Sequence, residues 1–126
     1  MKIAVVSSLR SEDPHTQVGC CILNKEGKVV STGCNGLKGG EKYDPNWSRE
    51  EKLSHMIHAE TNAFSLIKRG DGHTIYVTKS PCDSCCQNII AHDIKRVVYL
   101  DEYHRGSKFK EIFKKNGITF EKANQS

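Results

Sequence analysis

Two short segments constrain this chain more than any other feature: His58-Ala59-Glu60, and further along Pro81-Cys82-Asp83-Ser84-Cys85. One imidazole and two thiolates are three ligands of a tetrahedral zinc site, and a catalytic zinc leaves its fourth position to water. A fold that satisfies this pattern must bring His58, Cys82 and Cys85 to one point. Glu60 is not needed as a ligand; two residues from His58, its carboxylate is placed to exchange protons with a zinc-bound water and a substrate atom. A closed structural site would need a fourth protein ligand, for which Cys86, His92 and His55 are available.

At 126 residues the chain has room for one domain, residues 1–126, and no second. No apolar run approaches membrane-spanning length, and the short run at residues 3–6 is too brief for a signal peptide. The expected location is therefore the cytoplasm, where six cysteines are metal ligands and buried thiols rather than a disulfide framework. Cys20, Cys21, Cys34 and Cys86 read as small core residues. A net charge of +4 suits a phosphorylated substrate but is not the concentrated basic patch of a nucleic-acid binder. His15, His73 and His104 read as surface residues, and Lys108, Lys110, Lys114 and Lys115 as the solvated face of a last helix. Disorder is expected only at the tail, from Ala123 on.

Residues 18–23 and 28–33 flank the turn-rich Asn24-Lys25-Glu26-Gly27, which predicts a hairpin. Residues 35–46 form a loop long enough to suggest a functional role. Residues 49–69 turn helical, with Ala63, Phe64 and Ile67 on one face and Gly70 as a stop. Residues two apart do not share a helix face, so His58 and Glu60 can approach one ion most easily near a helix start. The catalytic helix accordingly begins near His58, with residues 49–55 as a separate segment. Residues 74–78 form a strand, and Ser80-Pro81 opens a helix with proline in its first turn. Cys82 and Cys85, three apart, point the same way from it, and the helix dipole favours their thiolates. Residues 96–100 form a further strand, Phe109, Ile112 and Phe113 a last helix, and residues 118–120 the final strand. The order predicts a three-layer α/β/α sandwich around a five-stranded mixed sheet, with the zinc between two helix starts beneath the carboxyl ends of the strands.

His-x-Glu followed by Pro-Cys-x-x-Cys is the signature of the zinc-dependent nucleobase deaminases. The expected reaction is hydrolytic: water adds to the amine-bearing carbon of a cytosine-type ring, and ammonia leaves. Glu60 would serve as base and then acid.

The chain further resembles the deoxycytidylate deaminase family from about Ser8 to Phe120. Residues 10–19, RSEDPHTQVG, are similar to the family's opening R-S-x-D-P-x-T-Q-V-G; Thr32-Gly33-Cys34-Asn35-Gly36 resembles its G-Y-N-G loop, with Cys34 where an aromatic is usual. Residues 58–63 match H-A-E-x-N-A, and Asp101-Glu102-Tyr103-His104 resembles the segment after the fourth strand. The resemblance implies zinc at His58, Cys82 and Cys85, Glu60 as proton shuttle, and Asn35, Ala59 and Tyr103 at the substrate. It implies a helix over residues 2–9, where periodicity alone would allow a strand. It implies conversion of dCMP to dUMP, a homohexamer, activation by dCTP and inhibition by dTTP with magnesium on the triphosphate, and an effector loop comprising Asn35, Gly36, Lys38, Gly39 and Gly40. Some members carry a second, structural zinc; with no cysteine between Cys34 and Cys82, one zinc per chain is expected.

Three rivals draw on the same residues: a dCTP deaminase, a tRNA adenosine deaminase, and a catalytically silent, zinc-stabilised regulatory or binding subunit. Asn62 in the H-A-E-x-N-A motif and the mild charge disfavour the tRNA enzyme. Glu60 disfavours the silent subunit, because a purely structural site has no use for an unliganded carboxylate. A free-nucleoside cytidine deaminase usually has cysteine where His58 stands.

Overall fold

A computed structural model describes residues 1–103 and 106–124. The elements are α1 (Lys2–Ser8), β1 (Gly19–Leu23), β2 (Val29–Cys34), α2 (Arg49–His55), α3 (Ala59–Phe64), β3 (Thr74–Lys79), α4 (Asp83–Ala91), β4 (Arg96–Asp101), α5 (Phe109–Lys115) and β5 (Thr119–Lys122). The five strands form one sheet in the order β2-β1-β3-β4-β5. β1 pairs antiparallel with both β2 and β3, while β3-β4 and β4-β5 are parallel, as helical crossovers require.

Two glycines on the hairpin decide how the helices lie on this sheet. Gly19 pairs with Cys34, and Cys20 pairs with Gly33, so the two glycines face opposite sides. A Cβ at Gly19 would lie 2.0 Å from the Ala4 carbonyl oxygen, and one at Gly33 would lie 2.5 Å from that of Ala59. Helix α1 therefore sits directly on one face through Gly19, and α3 on the other through Gly33. Helices α4 and α5 follow α3 on its side, where Phe109, Phe113 and Phe120 pack with Tyr99. The three expected layers are thus present. Cys20, Ile22, Ile75, Val77 and Val97 are fully buried between them.

Several boundaries differ from the sequence expectation. The first helix is the one the family resemblance implied: Ala4 and Ser8, one turn apart and small, fit against Gly19. Helix α3 begins after His58 as expected but stops at Phe64 rather than near Arg69. Leu66 and Ile67 donate to Ala63 and Phe64 in tighter three-residue bonds, and the Asp71 carboxylate captures the Lys68 amide at 2.8 Å. Helix α4 starts at Asp83, so Pro81 lies before the helix and not in its first turn. Cys82 is the cap, with extended backbone at φ −74°, ψ 171°. Proline disfavours helical backbone at the preceding Ser80, whose amide continues the strand ladder to Asp101 at 2.8 Å. Cys20, Cys21 and Cys86 are buried, but Cys34 is only half-buried at the open end of β2. His15 is exposed and His73 half-buried; His104 lies outside the described residues, and the four lysines of the last helix are exposed.

Substituting Gly33 by alanine forces α3 away from the sheet and should lower stability by about 1–3 kcal/mol, the usual cost of overpacking. Denaturant unfolding of Gly33→Ala beside Gly39→Ala, whose added Cβ meets nothing within 4 Å and whose φ is not positive, separates this clash from the general effect of replacing a glycine.

Candidate metal and active site

The local chain explains why His58 ends where it does. The backbone of Gly36 pairs with Ile57 in both directions, at 3.0 and 2.7 Å, pinning the residue before His58 to the loop that follows β2. His58 then caps α3 in extended conformation, Ala59 is its first helical residue, and Glu60 turns inward, 4 % exposed. Cys82 caps α4 and Cys85 faces the same way one turn later.

The ligand atoms of His58, Cys82 and Cys85 lie within 4.8 Å of one another. His58 Nδ1 is 3.1 Å from Cys85 Sγ and 3.6 Å from Cys82 Sγ. A tetrahedral zinc with ordinary bond lengths separates such sulfur and nitrogen atoms by about 3.6 Å. The donor set therefore fits zinc. The two thiols share one proton between them: a hydrogen bond from Cys85, with help from His58, holds the pKa of Cys82 down to about 2, while that of Cys85 is pushed up in turn by its bond to Cys82. Hydrogen bonding to the Cys82 thiolate raises the proton affinity of His58. Ser84 Oγ stands 3.1 Å from Cys82 Sγ.

None of the three candidate fourth ligands joins this group. Burial raises the pKa of the Cys86 thiol to about 12. His92 stacks on Phe64 at 4.2 Å with Nδ1 against the Asn88 carbonyl, and His55 stacks on Trp47 at 4.4 Å while pairing with Glu41. Three protein ligands leave a coordination position for water, the arrangement of a catalytic zinc. Beside them, desolvation pushes the Glu60 carboxyl above the ordinary carboxylate range, which favours a group that must both take and give a proton.

A cleft of about 430 Å³ opens at His58. Its walls include Val18, Asn35 and Met56, with His15, Arg49 and Tyr103 at the exposed end. Asn35 spans the wall: its Oδ1 accepts from the Val18 amide at 2.8 Å and its Nδ2 donates to the Thr16 carbonyl at 2.9 Å. Each end of the amide retains capacity for one more bond. Tyr103 lies across from it, its amide donating to Ser80 Oγ at 3.0 Å and its hydroxyl 3.4 Å from Thr16 Oγ1. Ala59 is buried between the two functional residues, its carbonyl accepting from Cys20 Sγ at 3.3 Å. The residues of the expected effector loop separate: Gly36 is buried in the bridge to Ile57, whereas Lys38, Gly39 and Gly40 form an exposed turn with Gly40 at φ +87°.

One residue of the cleft carries no signal in the sequence for the role it plays. Asp13, 3 % exposed, accepts from the amides of His15 and Thr16 and from Lys52 Nζ at 2.8 Å. Burial opposes its ionisation, but these three donors outweigh it and hold the carboxyl below its usual range. It ties residues 13–18 to α2. Asp-Pro is legible as a turn, but a pairing with Lys52, far along the chain, leaves no local trace.

Residues 1–101 match the family described as the cytidine and deoxycytidylate deaminase zinc-binding region. The chain is 37% identical to the deoxycytidylate deaminase of Mus musculus over 97% of its own length and 76% of that protein's, and 36% identical to the Homo sapiens enzyme over the same shares. The solved dCMP deaminase of cyanophage S-TIM5, in complex with dCMP and dUMP, superposes with a TM-score of 0.82 at 25% identity over 97% of this chain and 92% of that one. A zinc-type ligand triad with a buried carboxylate beside it, in this sheet order and with these relatives, places the chain in the cytidine and deoxycytidylate deaminase family.

Proposed function

We propose that the chain is a deoxycytidylate deaminase, hydrolysing dCMP to dUMP and ammonia within one domain. The observation that carries this is the buried Glu60 carboxyl beside the gathered ligand atoms of His58, Cys82 and Cys85. Zinc bound there supplies a Lewis acid that activates water at neutral pH. The protein's own part is positional and protonic. His58, Cys82 and Cys85 hold the reaction centre, with His58 lining the cleft. Glu60 accepts the proton of the attacking water, delivers it to the ring nitrogen beside the amine-bearing carbon, and then helps protonate the departing amine. Asn35 and Tyr103 border the nucleoside.

The finer expectations belong to the same proposal. We place the enzyme in the cytoplasm as a homo-oligomer of hexameric type. No helix among the described residues is long and apolar enough to cross a membrane, and Ile3, Val6 and Leu9 of the α1 segment expose apolar surface suited to a subunit contact. The exposed Lys38-Gly39-Gly40 turn suits the phosphates of dCTP or dTTP carrying magnesium, its glycines allowing close backbone approach.

Elemental analysis of purified enzyme should give about one zinc per chain, and Cys85→Ser should lose metal, turnover and stability together. A reproducible value near two contradicts the single site. Glu60→Gln should retain zinc while kcat falls by about 10²-fold or more, the scale of positioned acid-base catalysis; loss of zinc in that variant would reassign Glu60 as a ligand. Ammonia release should favour dCMP over deoxycytidine, dCTP and adenosine-bearing RNA, with dCTP and dTTP shifting the dCMP half-saturation in opposite directions. Equal efficiencies for dCMP and deoxycytidine would move the assignment to a nucleoside deaminase.

A further inference from the structure

The cleft at His58 has a charge balance that the deamination chemistry does not use. The deamination chemistry is assigned to its His58 end. At the other end, residues 13–18 form one wall and α2 the other, and the Asp13–Lys52 ion pair joins them. Lys52 is therefore already neutralised by a carboxylate 2.8 Å away, its side chain 18 % exposed. The guanidinium of Arg49, one helical turn before Lys52 and lining the same cleft, makes no hydrogen bond or ion pair among the described residues. On the other wall, the amide of His15 is spent on Asp13, but its imidazole ring carries no bond among the described residues. Thr16 adds a hydroxyl. An unpaired guanidinium and an imidazole at the solvent end of a cleft whose own carboxylate is satisfied match one class of ligand: an anion attached to the outer end of the substrate.

Resting on the deaminase reading above, we propose that Arg49 and His15 form the subsite for the phosphate of a nucleoside 5′-monophosphate, with Asp13–Lys52 as the positioning pair that holds their two walls together. The guanidinium offers paired donors that fit phosphate oxygens, and such charge-assisted bonds are stronger than neutral ones. A neutral nucleoside leaves Arg49 with nothing to neutralise. The subsite therefore selects for the monophosphate without touching the base. Binding energy gathered at this distant group can be used at the reacting carbon, so the selection appears in kcat/KM and not in KM alone.

The test is the ratio of kcat/KM for dCMP to that for deoxycytidine, measured on zinc-loaded wild type, Arg49→Gln, Arg49→Lys and His15→Gln. The ratio should fall by about 10- to 100-fold in Arg49→Gln, the worth of a charged hydrogen bond, and less in His15→Gln, with part of it restored in Arg49→Lys. A merely structural role for Arg49 lowers both efficiencies together and leaves the ratio alone. Calorimetric binding of dUMP against deoxyuridine supplies a second readout that needs no turnover, and Arg49→Gln should lose the preference for dUMP. A wild-type preference for dCMP that survives intact in Arg49→Gln overturns the subsite and leaves the deaminase reading standing. Wild-type enzyme that shows no preference for dCMP over deoxycytidine overturns the nucleotide reading, and the subsite with it.

Discussion

Two helix starts meeting at one point is the constraint on which this molecule depends. A histidine capping α3 and a cysteine capping α4 lie outside their helices' regular hydrogen bonding, so both side chains can turn toward the gap between them. Cys85 joins from the first turn of α4, and Glu60 from the first turn of α3. β2 and β3, both antiparallel to β1, run in the same direction, so the chain leaves each at the same end of the sheet on its way to α3 and α4, and this puts the two caps side by side. Move either helix by part of a turn and the thiolates no longer face the imidazole. The packing of α3 against β2 and of α4 against α3 is thus chemical machinery as much as core.

Much of this was legible in the chain because its signals are local. Metal-ligand residue types are few, their order is distinctive, and the requirement that His58 and Glu60 approach one ion already favoured a helix start at His58. The same requirement set α2 apart, while the hairpin and the strands β3 and β4 followed from turn residues and strand-type runs. What the sequence obscured was decided partly by a contact distant along the chain and partly by local competition for backbone groups. Residues 2–9 have an ambiguous pattern, and only the seat that Gly19 offers Ala4 and Ser8 explains the helix. The early end of α3 depends on Asp71 capturing a backbone amide, which competes with the helical bond. The start of α4 depends on Cys82 adopting extended backbone, a choice that Pro81 alone does not reveal.

The cleft shows the same division. Its inner end is written in short motifs, and its outer end in a pairing between Asp13 and Lys52 that no motif contains. Asn35 was expected at the substrate and does line the cleft, but the structure adds a second role. Its amide bridges Thr16 and Val18 and so shapes the wall that carries His15. One side chain therefore joins the loop after β2 to the loop before β1. The amide expected at the substrate is thus also the group that maintains the wall.

The opposed glycines of the hairpin have a consequence for folding fidelity. Side chains alternate along a strand, so sliding β2 past β1 by one position would turn Gly33 toward α1 and present a side chain to the backbone of Ala59 and Ala63. Helix α3 could not then dock. A misaligned hairpin is thereby incompatible with the docked helix that carries His58 and Glu60, and the two glycines act as a check on strand alignment. The one irregularity in the ladder, between Ile22 and Leu23, lies at the turn end of the hairpin, away from this check. Changes in the length of the 24–28 turn can be absorbed there while the open end keeps its alignment, which leaves the turn free to vary and the catalytic helix where it is.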